Sequence, residues 1–372
     1  MTTIFRMPGR SAAASLLALS ASLLLAACGG SSSSTSASAA SPSSPAPPTS
    51  SGGAASPSAS GKPTLLVYSA QGYDKDTVAA FQKATGIPAK LIDDSTGPLL
   101  ARIQAERANP QWGLLWVDGG TAFASLDKQG LLQKGLKVPQ LTAVGQSLVP
   151  SDASFIPTGT TMACTVIYDS RAIKAPPTTW QQLLTSKFKG KVGMNDPAVS
   201  GPTYPCVAGL MNYLGGVSQG EAFFKQLKSN GLHVSQTNPD TLHLLQTGQI
   251  SIALIQSSAA VGAAAKAPAL KVGYLPKVTL LPGAIGVDRK APAAVQQEAQ
   301  QFIDFVLSPA GQKVMQSGDP TGDSLYWPVV AQPSPLSGLP PLSSVSSQKI
   351  DPYVWGPREP QINNWFTANI VH

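Results

Sequence analysis

The chain has 372 residues, of which 42% are hydrophobic and 12% are charged, and its formal net charge is +7. The basic residues are scattered, with no Lys/Arg run and no basic patch interleaved with aromatic residues, which argues against nucleic-acid binding. The part that follows residue 62 is long enough to form two lobes, each with its own core.

The first 28 residues have the layout of an export signal. Arg6 and Arg10 are the charges that precede an apolar run at 12–27, which is short for a membrane span. The run ends at Cys28 in Leu-Ala-Ala-Cys-Gly, which resembles a bacterial lipobox. We therefore predict a lipoprotein signal peptide at 1–27 and an exported protein, lipid-anchored through Cys28 to a membrane facing the periplasm or cell exterior. A plain signal peptide with an incidental cysteine is the alternative.

Residues 28–62 follow as a segment of very low complexity. After Cys28 they consist almost entirely of Ser, Ala, Gly, Pro and Thr, without an acidic or aromatic residue. Such a segment lacks the apolar surface needed to order itself. We expect a disordered tether between the lipidated cysteine and the folded part.

The first third of the folded part alternates strands with helices. Apolar runs at 63–69, 87–92 and 113–118 predict strands, and each precedes a predicted helix, at 74–85, 99–106 and 122–129. This alternation predicts a largely parallel sheet, in which ligands bind beyond the carboxyl ends of the strands. Segments 69–72, 94–97 and 118–120 should therefore share one edge.

The remainder repeats this pattern. The long run 158–168 is predicted to cross into a second lobe as one strand, and the run 279–287 is predicted to return. Between them, the buried strand 250–256 ends at Gln256. An amphipathic helix is expected at 295–307, and the proline- and tryptophan-containing tail beyond 326 reads as an extension that wraps the surface.

The stretch 195–205 lies between a short predicted strand and a predicted helix at 206–214. It contains Ser200, Gly201, Thr203, Tyr204 and Pro205. A helix N-terminus has unpaired N–H groups and a partial positive charge, so this stretch favours an anion. An ordinary strand-to-helix turn is the alternative interpretation.

Several segments together resemble one family. They are Val67–Ala70, Phe81–Ile87, Ser95–Ile103, Ala198–Gly201 and Phe302–Gln312. With the lipobox, their order resembles bacterial extracellular solute-binding proteins of ABC transporters, in the branch that binds ferric iron, 2-aminoethylphosphonate and thiamine.

The resemblance implies an α/β, two-lobed type II periplasmic-binding fold, with a mainly parallel sheet flanked by helices in each lobe and crossing hinge strands between them. Lobe 1 would comprise 63–157 and about 276–308, lobe 2 would comprise 158–275, and 309–372 would be a C-terminal extension packing across both.

The resemblance also implies that loops from both lobes meet over one solute. The candidate ligand-binding residues are Ser69, Ser95, Thr96, Gly97, Asp118, Gly119, Ser200, Gly201, Thr203, Tyr204, Gln256 and Ser257. Charge-assisted hydrogen bonds from N–H and hydroxyl groups would hold an anion there.

Ferric-binding relatives usually supply adjacent tyrosines, whereas Tyr204 has no tyrosine neighbour, and Gln71 and Gly72 replace the usual histidine or acid. We therefore predict a phosphonate- or phosphate-like anion, with ferric iron as the alternative. Other carboxylates, a thiamine-like cation and a polyamine stay open.

The predicted function is the substrate-binding component of an ABC importer, a monomer without cofactor or metal that delivers its solute to a membrane permease. An envelope enzyme is the rival class, but the sequence lacks a P-loop motif, and His233, His243 and His372 lack metal-site spacing. An adhesion protein that reuses the fold is a third interpretation. Cys164 and Cys206 could form a disulfide in an exported protein or remain separate buried thiols.

Overall fold

The computed structural model describes residues 63–372; the predicted signal peptide, Cys28 and the tether lie outside these residues. The described part contains eleven strands. They are β1 (Leu65–Ser69), β2 (Ala89–Asp93), β3 (Leu114–Asp118), β4 (Phe155–Ala163), β5 (Thr165–Asp169), β6 (Val192–Asn195), β7 (His233–Ser235), β8 (Ile252–Ile255), β9 (Leu270–Gly273), β10 (Val278–Val287) and β11 (Ser347–Gln348).

Twelve α-helices lie among the same residues. They are α1 (Asp74–Thr85), α2 (Thr96–Ala105), α3 (Gly120–Lys128), α4 (Ala143–Gln146), α5 (Thr203–Leu214), α6 (Val217–Ser229), α7 (Asn238–Gln246), α8 (Ser257–Lys266), α9 (Ala293–Val306), α10 (Pro309–Gly318), α11 (Pro352–Trp355) and α12 (Glu359–Phe366). Local chemistry fixes several ends. Gly86 ends α1 in the left-handed conformation, and Thr237 and Asp240 form a capping box at the start of α7.

The first sheet forms the centre of lobe 1. Its strand order is β11-β10-β3-β1-β2, with β4 also paired to β10. Strand β1 is parallel to both β2 and β3, whereas β10 runs antiparallel to β3 and β4. The strands β1 and β3 are almost wholly buried, which explains their continuous apolar sequences.

The second sheet forms the centre of lobe 2, in the order β7-β6-β8-β5-β9. Strand β6 is parallel to β7 and β8, and β5 is antiparallel to β8 and β9. Each lobe therefore combines a parallel α/β core with antiparallel strands that connect it to the other lobe.

The chain crosses from lobe 1 to lobe 2 at Cys164. The single strand predicted at 158–168 is in fact two strands, because Cys164 has a φ of 59° and turns the chain between β4 in the first sheet and β5 in the second. Cys164 forms a disulfide with Cys206 in α5. The bond therefore links the crossing point to the helix that starts at the predicted anion-binding stretch.

The C-terminal segment is an integral part of the fold. Strand β11 pairs with β10, and Trp355, Ile362 and Phe366 belong to the hydrophobic core of lobe 2. On the lobe 1 side, a Cβ on Gly356 would lie 2.3 Å from a backbone oxygen of α3, so the segment lies directly against that helix. It thus contacts elements of both lobes.

Candidate functional site: the cleft between the lobes

The carboxyl ends of four strands meet between the two lobes. In lobe 1, β1 ends at Ser69 and β3 ends at Asp118, while in lobe 2, β6 ends at Asn195 and Gln256 follows β8. Within each sheet these strands are parallel, so their ends lie at one edge. The edge predicted from the alternation of strands and helices is the place where the lobes touch.

A polar network crosses this cleft and centres on Asp118. The Gln71 Nε2 donates to Asp118 Oδ1 at 3.2 Å, and the Gln256 Nε2 donates to Asp118 Oδ2 at 3.0 Å. Tyr73 holds the Gln71 side chain by donating its hydroxyl to Oε1 at 2.7 Å. One carboxylate of lobe 1 therefore accepts hydrogen bonds from both lobes. We call Gln71, Tyr73, Asp118 and Gln256, together with Asn195 and Asn238 described next, the interlobe polar network.

The network continues into lobe 2 through side-chain amides. Asn238 Nδ2 lies 3.5 Å from Gln256 Oε1 and Asn195 Nδ2 donates to Asn238 Oδ1 at 2.7 Å. Asn195 Nδ2 also donates to Ser200 Oγ at 3.2 Å, while Thr241 donates to Asn195 Oδ1 at 2.6 Å. Ser200 is thus fixed at the entrance to α5 by the same network that reaches Asp118.

The cleft has an acidic corner. Burial, with the nearby charge of Asp323, raises the pKa of Asp118 to about 7, although the two glutamine amides act in the opposite direction. Burial also raises the pKa of Asp323, whose carboxylate accepts from the Gly72 N–H at 2.8 Å and from the Ser258 hydroxyl at 3.3 Å. Asp323 therefore forms a second bridge from lobe 1 to helix α8 of lobe 2.

The N-terminal turns of α2 and α5 meet across the cleft. The Gly97 N–H donates to the Val199 carbonyl at 3.1 Å. A Cβ on Gly97 would lie 2.0 Å from the Ala198 oxygen, and a Cβ on Gly201 would lie 2.2 Å from Thr96 Oγ1. We call these two approaches the interlobe glycine contact; it brings together the loops predicted at 94–97 and 200–204.

Gly119 makes a third close approach between the lobes. Its φ is 96°, a conformation that favours glycine, and a Cβ there would lie 3.0 Å from Pro205 Cγ in α5. The Gly119 N–H donates to the Pro282 carbonyl at 2.8 Å. The glycine after β3 thus allows α5 to lie directly against the end of the first sheet.

Some predicted ligand residues are instead engaged within the fold. Ser69 is fully buried and hydrogen-bonds to Asp74 and to the Gln71 N–H. The Ser257 hydroxyl accepts from the Met162 N–H at 2.9 Å. Tyr204 is fully buried, and its hydroxyl donates to the Trp355 carbonyl at 2.5 Å. These positions hold the site's loops in place.

The remaining predicted residues lie at the helix N-termini. Ser95 is the N-cap of α2 but makes no side-chain capping hydrogen bond. Thr203 is the first residue of α5 and is buried. Both are placed within the turns that form the interlobe glycine contact, next to Thr96 and Ser200.

Several residues that form the cleft are not among the ligand-binding residues predicted from the sequence: Gln71, Asn195, Asn238, Ser258 and Asp323. Asn195 ends β6 and Asn238 begins α7, so the strand-end rule could have found them. Asp323 lies beyond α10, far along the chain from Gly72, and no local motif indicates its position.

Among residues 63–372, no group of three or more His, Cys, Asp or Glu side chains is arranged to hold a metal ion. In the same part of the chain, no helix has the length and apolarity required to cross a membrane.

Solved structures share this two-lobed architecture. Fructose-6-phosphate-bound AfuA from Actinobacillus pleuropneumoniae matches with a TM-score of 0.72 at 18% identity, over 83% of this chain and 98% of that one. Iron-bound HitA from Pseudomonas aeruginosa matches with a TM-score of 0.68 at 21% identity, over 81% of this chain and 98% of that one. The fold is that of the two-lobed periplasmic binding proteins, with the cleft described above between the lobes.

Sequence comparison gives the family. Residues 76–331 match the model of the bacterial extracellular solute-binding proteins, and the chain belongs to this family, whose members capture solutes for ABC transporters. A Salmonella typhimurium protein, provisionally named a 2-aminoethylphosphonate-binding periplasmic protein, is 24% identical over 244 residues, which are 63% of this chain and 68% of the relative. The predicted family, fold class and solute-binding function are confirmed.

Proposed function

We propose that this protein captures a small phosphonate- or phosphate-like anion in the interlobe cleft and delivers it to the permease of an ABC importer. The solute would lie between the N-terminal turns of α2 and α5, close to the interlobe polar network. No covalent bond is made or broken in this function, and the role is binding rather than catalysis.

The interlobe glycine contact is the observation that carries the proposal. It places the first turns of two helices, one from each lobe, against one another. The Gly97 N–H is already paired with the Val199 carbonyl, so the anion would use the other N–H groups of these turns and the positive ends of the two helix dipoles, features that bind phosphate in other proteins. Thr96, Ser200 and Thr203 add hydroxyls at the same place.

The names of two relatives support this chemistry. The Salmonella protein is named for a phosphonate, and AfuA holds a sugar phosphate. The iron of HitA is the contrasting case. Tyr204, the tyrosine of the predicted cleft loop at 200–204, has its hydroxyl committed to the Trp355 carbonyl inside the protein, which disfavours this phenolate as a ligand for iron.

Capture would be coupled to closure of the lobes. A solute shifts the protein toward the closed form only by the difference between its affinities for the closed and open forms. A ligand that touches both α2 and α5 has this property, since opening the cleft separates its two sets of donors.

Equilibrium titration calorimetry tests the ligand class. We expect 2-aminoethylphosphonate, ethylphosphonate or a sugar phosphate to bind, and ferric citrate not to bind. Tight ferric binding with a visible phenolate charge-transfer band would contradict the proposal and favour the iron alternative. Turnover of a bound phosphate ester would favour an enzyme.

A double variant tests the site. Ser200→Ala/Thr203→Val removes two hydroxyls beside the α5 N-terminus, and we expect affinity for the bound anion to fall about tenfold or more, as for lost hydrogen bonds to a charged group. The exposed pair Ser186→Ala/Thr185→Val in lobe 2 is the matched control. Equal affinities of both double variants and the wild type would exclude this site.

We also propose that the mature protein is anchored by lipid on Cys28 and connected through the 28–62 tether, as the lipobox indicates. The family is extracellular, which agrees with export. Mass spectrometry of membrane-extracted protein should show a lipid adduct that a Cys28→Ala variant lacks; an unmodified cysteine in the wild type would contradict the anchor.

A further inference from the structure

Two carboxyl groups carry hydrogen bonds from one lobe to the other. Asp118 is 8% exposed and accepts from Gln71 of lobe 1 and from Gln256 of lobe 2. Asp323 accepts from the Ser258 hydroxyl of lobe 2 at 3.3 Å. Both acids therefore lie where the lobes touch, and their contacts with lobe 2 form only when the lobes are together.

No positive charge offsets these acids. Among residues 63–372, neither Asp118 nor Asp323 forms an ion pair with Lys, Arg or His. Lys266 of α8 lines a cavity together with Asp323 but is not paired with it. The other titratable groups that interact with the two acids, or with the tyrosine beside them, are acids and tyrosines that burial keeps neutral: Tyr73, Asp74, Asp319 and Tyr326.

A carboxylate loses its hydration when the lobes close over it. Around Asp118 the closed lobes replace water with two neutral amides, which cannot supply the positive charge that favours ionisation. Burial, with the charge of Asp323, outweighs the two amide hydrogen bonds and raises the pKa of Asp118 to about 7. With the lobes apart, Asp118 would face water and titrate closer to its ordinary value of 3.8. Between these values the closed form holds a proton that the open form lacks.

We propose that closure of the lobes around the solute makes Asp118 take up one proton, so that acidity favours capture and loss of the proton favours release. The proton adds to the carboxylate as the lobes meet and returns to water as they part, and no other bond changes. A bound anion strengthens the effect, because a second negative charge nearby also disfavours the ionised carboxyl. Linkage makes the coupling reciprocal, so the solute raises the proton affinity by the factor by which the proton raises the solute affinity. This inference rests on the proposed function and adds regulation to the same cleft.

Calorimetry in buffers of different ionisation enthalpy counts the protons taken up with the solute. Ethylphosphonate is titrated into the wild type and into Asp118→Asn at pH 5.5, 6, 7 and 8. The ligand itself titrates in this range, but it contributes equally to both proteins, so the difference between them belongs to Asp118. At pH 6 the wild type should take up about half a proton or more in excess of the variant. Its affinity relative to the variant should fall about tenfold or more from pH 5.5 to pH 8.

Two further variants separate the titration of Asp118 from a general effect of charge. Asp304→Asn, which removes an exposed carboxylate from α9, is the matched control and should keep the wild-type proton count. Gln256→Leu removes an amide that favours ionised Asp118, so its proton uptake should persist to a higher pH than in the wild type. Equal proton counts in the wild type and Asp118→Asn would overturn the proposal. An excess release of protons by the wild type would also overturn it, because a positive group of the solute would then be paired with ionised Asp118.

Scattering from the ligand-free protein separates this inference from the function on which it rests. Small-angle X-ray scattering should give a smaller radius of gyration at pH 5.5 than at pH 8 for the wild type, and equal radii for Asp118→Asn. If ethylphosphonate binds with equal proton counts in both proteins, the anion function survives and the proton coupling is wrong. If ethylphosphonate does not bind at any pH, the anion function is wrong, and a radius that depends on pH in the wild type alone would retain the proton-coupled closure. A constant radius together with absent binding would reject both.

Discussion

Asp118 is one of the residues that join the two lobes directly. Its two carboxylate oxygens accept from Gln71 in lobe 1 and from Gln256 in lobe 2. Both partners are neutral amides, so the buried carboxyl has no cation to offset the loss of water, and burial dominates its pKa. This arrangement makes the join between the lobes sensitive to protonation.

Asp118→Asn should change how stability depends on pH. The pKa of Asp118 rises from 3.8 in the unfolded chain to about 7 in the folded protein. Between these values the folded state holds the proton more tightly, so the free energy of unfolding decreases as pH rises, by at most about 4 kcal/mol from this residue. The variant should flatten this decrease and unfold at higher urea concentration at pH 7.

The asparagine can keep both contacts if the Gln256 amide turns to accept from it. Urea unfolding at pH 4, 5, 6 and 7 gives the measurement, with Asp304→Asn as the exposed control. Identical pH slopes in the variant and the wild type would contradict the assignment. Asp74, whose pKa burial raises to about 6, contributes a slope of the same sign in both proteins.

At the residue scale, sequence predicted the segments of the site better than the side chains. Asp118 and Gln256 were predicted from their positions after buried strands, and both are in the network. Ser69 and Tyr204 occupy equally suggestive positions, but the chain supplies them with internal partners, Asp74 and the Trp355 carbonyl. Trp355 lies 151 residues from Tyr204, and no local pattern indicates a partner at that distance.

At the scale of elements, the cleft depends on how closely α2 can approach the loop before α5. Gly97 and Gly201 lie on opposite sides of this approach, and neither position has room for a Cβ without movement. The obstacle beside Gly97 is the backbone oxygen of Ala198, which cannot turn aside as a flexible side chain can. The glycines are therefore required for the two helix N-termini to meet.

Gly97→Ala should lower the affinity for the ligand without lowering the stability of the ligand-free protein. The methyl group would hold the loops apart, so we expect at least tenfold weaker binding of the phosphonate ligand and a larger radius of gyration in solution with ligand. Alanine is also favoured over glycine in a helix by up to about 1 kcal/mol, so the ligand-free variant should remain as stable as the wild type.

Gly273→Ala is the matched control, because a Cβ there meets no atom within 4 Å. Calorimetry and small-angle X-ray scattering give the two measurements. Wild-type affinity in Gly97→Ala would mean that the solute is bound without this contact.

The order of elements in both lobes follows from the sequence because each parallel strand is a continuous apolar run followed by a helix. The break between β4 and β5 was missed for a physical reason. Residues 158–168 are uniformly suited to a strand, and the turn at Cys164 depends on a positive φ at a residue that is not glycine. A tertiary constraint rather than local propensity produces that conformation.

For the whole molecule, several connections hold the lobes in one unit, among them the crossing chain at Cys164, the interlobe polar network and the C-terminal segment. The last of these lies outside the family match, and its Trp355 and Phe366 complete the core of lobe 2. Sequence indicated an extension from the prolines and tryptophans, but burial of the Trp355 and Phe366 rings requires space in the core of lobe 2 that only the folded structure defines.

Removal of the disulfide should reduce the stability of the whole molecule more than its affinity. Cys164 and Cys206 are 42 residues apart. Closing a loop of this length lowers the entropy of the unfolded chain by an amount worth about 4 kcal/mol, a large share of the roughly 5–15 kcal/mol that stabilises a typical domain. Cys164→Ala/Cys206→Ala keeps a non-glycine residue at the positive φ, so its loss of stability reports on the cross-link.

Ligand and disulfide should act on different states, which gives the decisive comparison. The disulfide restricts the unfolded chain, whereas a solute stabilises the folded protein, by about 2.7 kcal/mol at a hundred times its Kd. Saturating ligand should therefore raise the free energy of unfolding, measured by urea denaturation, by the same amount in the Cys164→Ala/Cys206→Ala variant and in the wild type. Reductant should lower the free energy of unfolding of the wild type toward that of the variant and leave the value for the variant unchanged. A ligand increment that vanishes in the variant would instead show that the Cys164–Cys206 bond positions α5 for binding.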